Sequence, residues 1–381
     1  MPGNDVQAAR LAGRRVMMMQ TQAENAGAQE VSRLLGEGLE KRGYDVHHLF
    51  FFRRTDSGDA LPNVIFCASE RPKSLPQLFA LLRRLRQAVG KARPDIVLTF
   101  QHYGNILGAA ATRSVGAIPV IANQVSPDGV TNRLIRFTDR WFGRLGLYDG
   151  ITVNSDDTAR AFVDHPEVYR RRIVHIPHGF MDKTAAFDKA EARRRLGLPP
   201  EVVLLGTAAR LHPIKNLEAG LRLLPFDPAW HLALAGQGPD RERLQGLASE
   251  LGVAERLHLV GELPSAEVGG FLAALDVFLF PSVAETFGLA GVEAAQAGVP
   301  VVCNDLPVLR EVLAFEGRPA ALFVDVADSK AFAAAVAKVL NEPELARDLT
   351  SAGRGLASRY PLSAMVDAFE NLIQNVLKGR G

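Results

Sequence analysis

Residues 285–293 of the chain are Glu285-Thr286-Phe287-Gly288-Leu289-Ala290-Gly291-Val292-Glu293. Two glutamates flank a Phe-Gly pair, an apolar run that ends at Pro281 precedes them, and small residues follow. This order predicts a buried strand, a glycine turn and a helix, with Glu285 before the helix and Glu293 just over one turn inside it. Backbone N–H groups at such a helix start suit an anion, and carboxylates accept hydrogen bonds from hydroxyl groups. The stretch therefore suits a ligand with phosphate and hydroxyl groups, as a nucleotide sugar has.

Short apolar runs alternate with helical patterns along the whole chain. They lie at residues 16–19, 46–51, 96–100, 118–122, 151–153 and 173–177, and again at 202–209, 231–235, 257–260, 277–281, 300–303 and 321–324. This alternation predicts parallel sheets with crossover helices, and 381 residues are enough for two domains. We expect an α/β fold of two doubly wound, Rossmann-like domains, in which ligands bind beyond the carboxyl ends of the strands.

With its surroundings, the segment from Glu285 to Glu293 resembles the E-x7-E motif of glycosyltransferase family 4 (glycosyl transferases group 1). The resemblance covers nearly the whole chain and implies the GT-B architecture, with two domains facing one another across a cleft. It implies an acceptor-binding domain at residues 1–179 and a nucleotide-sugar donor domain at residues 180–358. Residues 359–381 are expected to form a C-terminal helix that crosses back onto the first domain.

Two basic residues, Arg210 and Lys215, follow a predicted strand of the second half. Fixed cations at this place stabilise a departing diphosphate more than the intact donor, as catalysis requires. Their spacing resembles the R-x4-K phosphate clamp of the family. Two solvated charges at a strand end are the alternative, which the glutamates downstream disfavour.

The resemblance also assigns roles to the glutamate segment. It implies that Glu285 contacts the hydroxyls of the donor sugar and that Glu293 accepts hydrogen bonds from the nucleotide ribose. The backbone amides of Phe287, Gly288 and Leu289 are expected to meet the distal phosphate. A surface glutamate and an unpartnered helix glutamate are the alternative.

Three further glycines belong to the predicted donor site. Gly236 and Gly238 form a strand-to-helix turn that, in the family, lines the pocket of the nucleotide base; an ordinary turn is the alternative. Gly27 lies in a loop similar to the Gly-Gly-Ala-Glu loop of the family, which approaches the donor phosphate and the acceptor. Ala26 and Gln29 replace a glycine and the usual acidic residue there, which weakens any assignment of acceptor contacts to this loop.

Candidate residues of the first half also follow predicted strands. His102 aligns with a histidine that the family places near the transferred sugar, so we count it with the catalytic residues; a structural histidine is the alternative. Asn123 and Gln124 stand where the family more often has His-Gly. Their amides are expected to contact a hydroxylated acceptor, or else to cap a turn.

Basic charge is concentrated in the first half. Residues 1–180 carry 24 Lys/Arg and 17 Asp/Glu, whereas residues 181–381 carry 20 and 25. A helix with Arg133, Arg136, Arg140 and Arg144 beside Trp141 is typical of a face that docks on anionic headgroups, although a solvated helix face is the default. We find no signal peptide and no apolar stretch of spanning length. These patterns predict a cytoplasmic protein with peripheral contact to the cytoplasmic membrane face, and nothing favours a nucleic-acid partner.

No pattern of cofactor or metal ligands is present, because the two cysteines, Cys67 and Cys303, are isolated and no Asp-x-Asp occurs. The expected function is a metal-independent, retaining transfer of a sugar from a nucleotide donor to a sugar or lipid-linked acceptor. UDP is the commonest donor nucleotide in the family, and polysaccharide or glycoconjugate biosynthesis is the expected context. A nucleotide-sugar epimerase of the same architecture and a non-catalytic nucleotide-sugar-binding protein are the alternatives.

Overall fold

A computed structural model describes residues 13–24, 27–53, 58–59, 61–126 and 131–379. These residues form two compact units. The first contains the described residues before 25 and from 28 to 179, together with 362–379; the second contains Gly27 and 180–361. The chain thus enters the second unit at Phe180 and returns to the first at Leu362.

The first unit is a seven-stranded parallel sheet with helices between its strands. The strands are β1 (Arg15–Ala23), β2 (Asp45–Arg53), β3 (Val64–Ala68), β4 (Ile96–Phe100), β5 (Val120–Gln124), β6 (Gly150–Val153) and β7 (Ile173–His175), in the order β3-β2-β1-β4-β5-β6-β7. The helices are α1 (Gly27–Glu40), α2 (Leu75–Ala92), α3 (His102–Arg113), α4 (Arg133–Arg144), α5 (Asp156–Arg160) and α6 (Glu167–Arg170).

The second unit repeats this plan with six parallel strands. They are β8 (Val203–Ala208), β9 (Trp230–Ala235), β10 (Leu257–Gly261), β11 (Val277–Phe280), β12 (Val301–Asn304) and β15 (Leu322–Val324), in the order β10-β9-β8-β11-β12-β15, with a small hairpin of β13 (Ala314–Phe315) and β14 (Arg318–Pro319). The helices are α7 (Lys189–Leu196), α8 (Leu217–Leu221), α9 (Arg241–Glu250), α10 (Val268–Ala274), α11 (Leu289–Gln296), α12 (Pro307–Val312), α13 (Ser329–Asn341) and α14 (Pro343–Arg359).

The strand order reverses once in each unit, between β1 and β4 and between β8 and β11. Loops diverge from such a reversal and leave a crevice beyond the carboxyl ends of the strands, where ligands of this fold class bind. The prediction of two doubly wound, Rossmann-like units is confirmed.

The C-terminal helix, α15 (Leu362–Lys378), packs on the first unit. Arg42, just after α1, forms ion pairs with Asp367 and Glu370 of α15. The Tyr44 hydroxyl also donates to Glu370, at 3.2 Å, and burial raises the pKa of this phenol above its usual value. Together with the buried apolar face of α15, these contacts confirm the predicted return of the C-terminal helix.

Aspartates at the amino ends of three strands bind the backbone of the neighbouring strand. Each carboxylate accepts the N–H of one residue there, and each aspartate N–H donates to the carbonyl of that same residue. The pairs are Asp95 with Arg15, Asp149 with Val120 and Asp276 with Leu204, with carboxylate distances of 2.7, 2.8 and 2.7 Å. This repeated arrangement fixes the amino end of β1, β5 and β8 against the next strand.

Asp276 interrupts the apolar run of residues 271–280, and its contacts explain why. Its carboxylate accepts from Leu204 N, from the buried guanidinium of Arg193 at 2.7 Å and from the ammonium of Lys189 at 2.6 Å. A carboxylate is therefore required here because Arg193 is otherwise a buried cation without a counter-ion.

We predict that Asp276→Ala lowers the free energy of unfolding of the second unit by about 2–4 kcal/mol, because Arg193 loses its carboxylate. Chemical denaturation in a Trp141→Phe background measures this, since the buried Trp230 is then the only tryptophan. Asp305→Ala is the control, because Asp305 pairs with Arg310 at an exposed site and its loss should cost under about 1 kcal/mol. Equal losses in both variants would contradict the assignment.

Candidate functional site

The candidate site of the second unit lies where β8 and β11 end side by side. The segment after β8 carries Arg210 and a short 3-10 helix, Pro213–Lys215, and the segment after β11 carries Glu285 and leads into α11. Val283 N donates to Ile214 O at 2.9 Å and joins the two segments. The reversal of strand order therefore brings the basic and acidic motifs of the sequence to one place.

Lys215 and Glu285 form a direct ion pair, with 2.5 Å between Nζ and Oε1. Their side chains are 23% and 12% exposed, so the pair is largely shielded from water. The ammonium also lies 5.9 Å from the centroid of the Phe280 ring, at the end of β11. The pair offers both an ammonium donor and a carboxylate acceptor at the carboxyl end of the sheet.

Gly236 and Gly238 hold the segment of Arg210 in place. A Cβ at Gly236 would lie 2.0 Å from the carbonyl oxygen of Ala209, and one at Gly238 would lie 2.1 Å from that of Leu211. Only glycine permits this approach, and Leu211 N donates to the carbonyl between the two glycines at 2.9 Å. The turn thus packs against the backbone on both sides of Arg210, whose side chain is half-buried. Its role in lining a base pocket stays a prediction.

Gly288 starts α11 with a left-handed backbone, at φ +86°. A Cβ there would also lie 2.6 Å from a methyl group of Leu309, so both conformation and space require glycine. Phe287 and Leu289 on either side are buried, with the Phe287 ring 5.1 Å from that of Tyr360. Their side chains anchor the helix start, and the contact of the three backbone amides with phosphate stays a prediction.

Glu293 lies on α11 and is buried with Lys183, a residue that the sequence did not single out. Lys183 Nζ lies 3.8 Å from Glu293 Oε1, and the side chains are 7% and 11% exposed. Lys183 is a lone lysine in the segment that enters the second unit, and no spacing or periodicity marks it. Only the packing of that segment against α11 makes it part of the site.

His102 is the first residue of α3 and is buried. Its Nδ1 lies 3.5 Å from the hydroxyl of Thr131. The residue before it, Gln101, has φ +67°, which is uncommon for a residue other than glycine and is typical of functional sites. The structure thus places His102 at the carboxyl end of β4 as predicted, and its catalytic role stays a prediction.

Asn123 and Gln124 are fully buried at the end of β5. The Asn123 amide donates to Thr99 O at 2.8 Å and accepts from the Thr152 hydroxyl at 2.5 Å. The Gln124 amide donates to both carboxylate oxygens of Asp139, at 3.0 and 3.1 Å. These bonds give both amides an interior role, and the predicted contact with an acceptor stays a prediction without support from this geometry.

Asp139 connects this network to α4. Besides Gln124, it accepts from the hydroxyls of Tyr148 at 2.9 Å and Tyr169 at 2.7 Å. Burial, followed by the neighbouring carboxylate, raises the pKa of Tyr148 well above its usual value, so this phenol stays a donor. A polar side chain therefore anchors α4 to the first unit.

Unsatisfied oxygens mark a second polar region of the first unit, at the carboxyl end of β1. Among the residues that the structure describes, Gln20 Oε1, Thr21 Oγ1 and Gln29 Oε1 are buried without a hydrogen-bond partner. Gln29 Nε2 donates to Gln22 O at 3.0 Å, which fixes the direction of its amide. Buried oxygens of this kind are costly unless a donor meets them, so the region suits hydroxyl or N–H groups of a ligand. The polar run that follows the apolar start of β1 is the sequence signal for it.

Gly27 begins α1, and residues 25–26 of the same loop lie outside the described residues. The comparison of that loop with the Gly-Gly-Ala-Glu pattern is therefore a statement about sequence alone.

At the end of the first unit, His178 lies 2.8 Å from the Asn154 amide, and burial lowers the pKa of its imidazole to about 3. His178 is thus neutral at physiological pH.

The outer face of α4 combines exposed apolar and basic side chains. Leu134, Phe137 and Trp141 are 70%, 59% and 40% exposed. Four arginines accompany them, Arg133, Arg136, Arg140 and Arg144, and only Asp139 and Gly143 of this helix are buried.

Within the described part of the chain, every helix is too short or too polar to span a bilayer.

Two family models match the chain in succession. Residues 26–181 match Glycosyltransferase Family 4, and residues 188–356 match Glycosyl transferases group 1. The chain is 32% identical to the D-inositol 3-phosphate glycosyltransferase of Geodermatophilus obscurus over 234 residues, a match that covers 58% of this chain and 51% of that protein. It is 29% identical to the lipopolysaccharide core biosynthesis mannosyltransferase LpsB of Rhizobium meliloti over 242 residues, a match that covers 59% of this chain and 66% of that protein. The chain thus spans about half to two thirds of the length of these relatives.

Solved structures show the same fold. The Anabaena protein HepE, crystallised with UDP and glucose, matches with a TM-score of 0.80 at 18% identity over 95% of this chain and 100% of its own. At this identity the likeness is one of fold. The two family models match the two units in succession, so the chain resembles glycosyltransferase family 4 and the glycosyl transferases group 1 over both units, and its fold is the GT-B fold.

Proposed function

We propose that this protein transfers a sugar from a nucleotide-sugar donor to a hydroxyl acceptor. The observation that carries the proposal is the pairing of two largely shielded carboxylates, Glu285 and Glu293, with two lysines in the second unit. Carboxylates accept hydrogen bonds from the hydroxyls of a sugar and a ribose, and the cations beside them meet phosphate. The match of both units to glycosyltransferase family models supports the same assignment.

The donor is arranged along the segment from Glu285 to Glu293. Arg210 and Lys215 are assigned to the diphosphate, Glu285 to the transferred sugar and Glu293 to the ribose. The 2.5 Å between Lys215 Nζ and Glu285 Oε1 supports this assignment. At this separation the ammonium can contact the diphosphate while the carboxylate contacts the sugar, on either side of the bond that breaks. UDP is the proposed nucleotide, since it is the commonest in the family and HepE was crystallised with it.

The reaction breaks the bond between the anomeric carbon and the bridging phosphate oxygen. Negative charge then grows on that oxygen, and Arg210 and Lys215 stabilise it more in the transition state than in the ground state. Because these two cations can carry this charge, we propose a transfer that needs no metal. We further propose retention, in which the leaving phosphate takes the proton of the acceptor on the same face of the sugar. The anomeric configuration of the product decides this point.

The acceptor is assigned to the first unit. The buried oxygens of Gln20, Thr21 and Gln29 support a neutral, hydroxylated acceptor, because each lacks a donor within the described chain. His102, at the carboxyl end of the adjacent β4, is assigned to the same side of the reaction. Assembly of a polysaccharide or another glycoconjugate is the proposed context, in which a growing sugar chain or a lipid-linked sugar is the acceptor.

A thermal-shift and calorimetric screen of UDP, GDP, ADP and their common sugars tests the donor assignment. We predict that one nucleotide, UDP, raises the melting temperature and that Arg210→Ala reduces this shift at least severalfold, because a cation on the diphosphate is lost. Arg222→Ala is the matched control, since Arg222 is an exposed arginine of the same unit beside Glu218. Loss of binding in both variants, or no response to any nucleotide, would sink the assignment.

We also propose that α4 places the protein on the anionic cytoplasmic leaflet of a membrane. The helix is held by buried Asp139, so its apolar and basic side chains face outward. Apolar side chains enter the headgroup region of a bilayer, and each arginine near an anionic surface adds about 1 kcal/mol.

Flotation with vesicles of phosphatidylcholine, with and without anionic phosphatidylglycerol, measures this contact. We predict binding to anionic vesicles only, weakened about fivefold by Arg133→Ala and further by Phe137→Ser. Phe226→Ser is the matched control, because Phe226 is a similarly exposed phenylalanine of the second unit. Binding that is indifferent to lipid charge, or equally reduced by the control, would rule the contact out.

A further inference from the structure

Lys183 is a buried lysine, and its surroundings explain how that is tolerated. Its Nζ donates to the hydroxyl of Ser265 at 2.6 Å and to the carbonyl of the same residue at 3.0 Å. Glu293 Oε1 lies 3.8 Å away. Lysine is almost never buried without a counter-charge, because desolvation of the ammonium is costly. Glu293 supplies that counter-charge.

The backbone of Lys183 is tied to the same helix as Glu293. Lys183 N donates to Gln296 Oε1 at 3.2 Å, and Gln296 Nε2 donates to Asp182 Oδ1 at 2.8 Å. Gln296 lies three residues after Glu293 on α11, so both residues share one helix face. On the other side, a Cβ at Gly269 of α10 would lie 2.3 Å from Lys183 O, so this approach requires glycine. The lysine is therefore held on two sides.

The two lysine–glutamate pairs of the site differ in one respect. Lys215 hydrogen-bonds Glu285 directly, at 2.5 Å, whereas 3.8 Å between Lys183 and Glu293 is beyond hydrogen-bonding distance. Ser265 holds the Lys183 ammonium, which thus acts on Glu293 through its charge. An opposite charge at this range favours the ionised carboxylate in a site of low exposure.

We propose that Lys183 is a positioning residue for the donor, whose fixed positive charge holds the Glu293 carboxylate oriented to accept two neighbouring hydroxyls of a ribose. The proposal rests on the function proposed above, since it needs a nucleotide donor. A carboxylate with two oxygens matches a vicinal diol, and a 2′-deoxyribose leaves one oxygen unmatched. Lys183 therefore gives the enzyme its preference for ribonucleotides.

Calorimetry with UDP and 2′-deoxy-UDP tests the proposal. We expect wild type to bind UDP at least about tenfold more tightly, as a lost hydrogen bond to a charged group implies. Lys183→Met, which keeps the length and loses the charge, should reduce this ratio to about threefold or less, and Lys183→Arg should restore part of it. A merely structural lysine would weaken both nucleotides equally. Lys189→Met is the matched control, because Lys189 pairs with Asp276 at a more exposed place.

The double variant Lys183→Met/Glu293→Gln covers the case in which Lys183→Met does not fold, since it leaves no buried charge unpaired. We expect it to fold and to bind both nucleotides alike. A wild-type ratio in Lys183→Met or in the double variant overturns the role of Lys183 and leaves the glycosyltransferase proposal standing. Failure of wild type to bind UDP contradicts the proposed donor itself and this inference with it.

Discussion

Shielding two carboxylates from water within nine residues is electrostatically costly, and the second unit supplies a lysine from elsewhere in the chain to each of them. Glu285 receives Lys215 from the segment after β8, and Glu293 receives Lys183 from the segment that enters the unit. Without these cations each carboxylate would be a poorly solvated negative charge with no counter-charge, which is destabilising. The proposed donor site depends on this pairing.

The rest of the second unit serves to hold these pairs in position. The reversal between β8 and β11 sets the two segments side by side, and Asp276 fixes the opposite, amino ends of the same strands. Gly236 and Gly238 let the neighbouring turn support Arg210 by backbone contact, and Gly288 lets α11 start close to Leu309. Close backbone contacts therefore hold the edges of the site in place, and the two lysine–glutamate pairs hold its centre.

Sequence reasoning predicted the parts of the site that lie close together along the chain or follow a strand. The alternation of apolar runs predicted both sheets, and the resemblance to the family motifs predicted one donor site for Arg210, Lys215, Glu285 and Glu293. Of these, the structure pairs Lys215 with Glu285. Lys183 was missed because its partner is more than a hundred residues away and a lone lysine in a connecting segment carries no pattern. Asn123 and Gln124 were expected to contact a ligand. Their position at the end of a strand does not tell whether a polar side chain points into the interior. In the structure the Asn123 amide is hydrogen-bonded to Thr152 and the Gln124 amide to Asp139.

We propose that these cations and carboxylates transfer a sugar from a nucleotide with retention and without a metal. Proton NMR of the sugar released from the donor nucleotide sugar that binds best, recorded in the presence of a chelator, tests both properties at once. We expect the first product to have the anomeric configuration of the donor and its rate of formation to be unchanged by the chelator. A product of opposite configuration, or activity that returns only with a divalent cation, would contradict it.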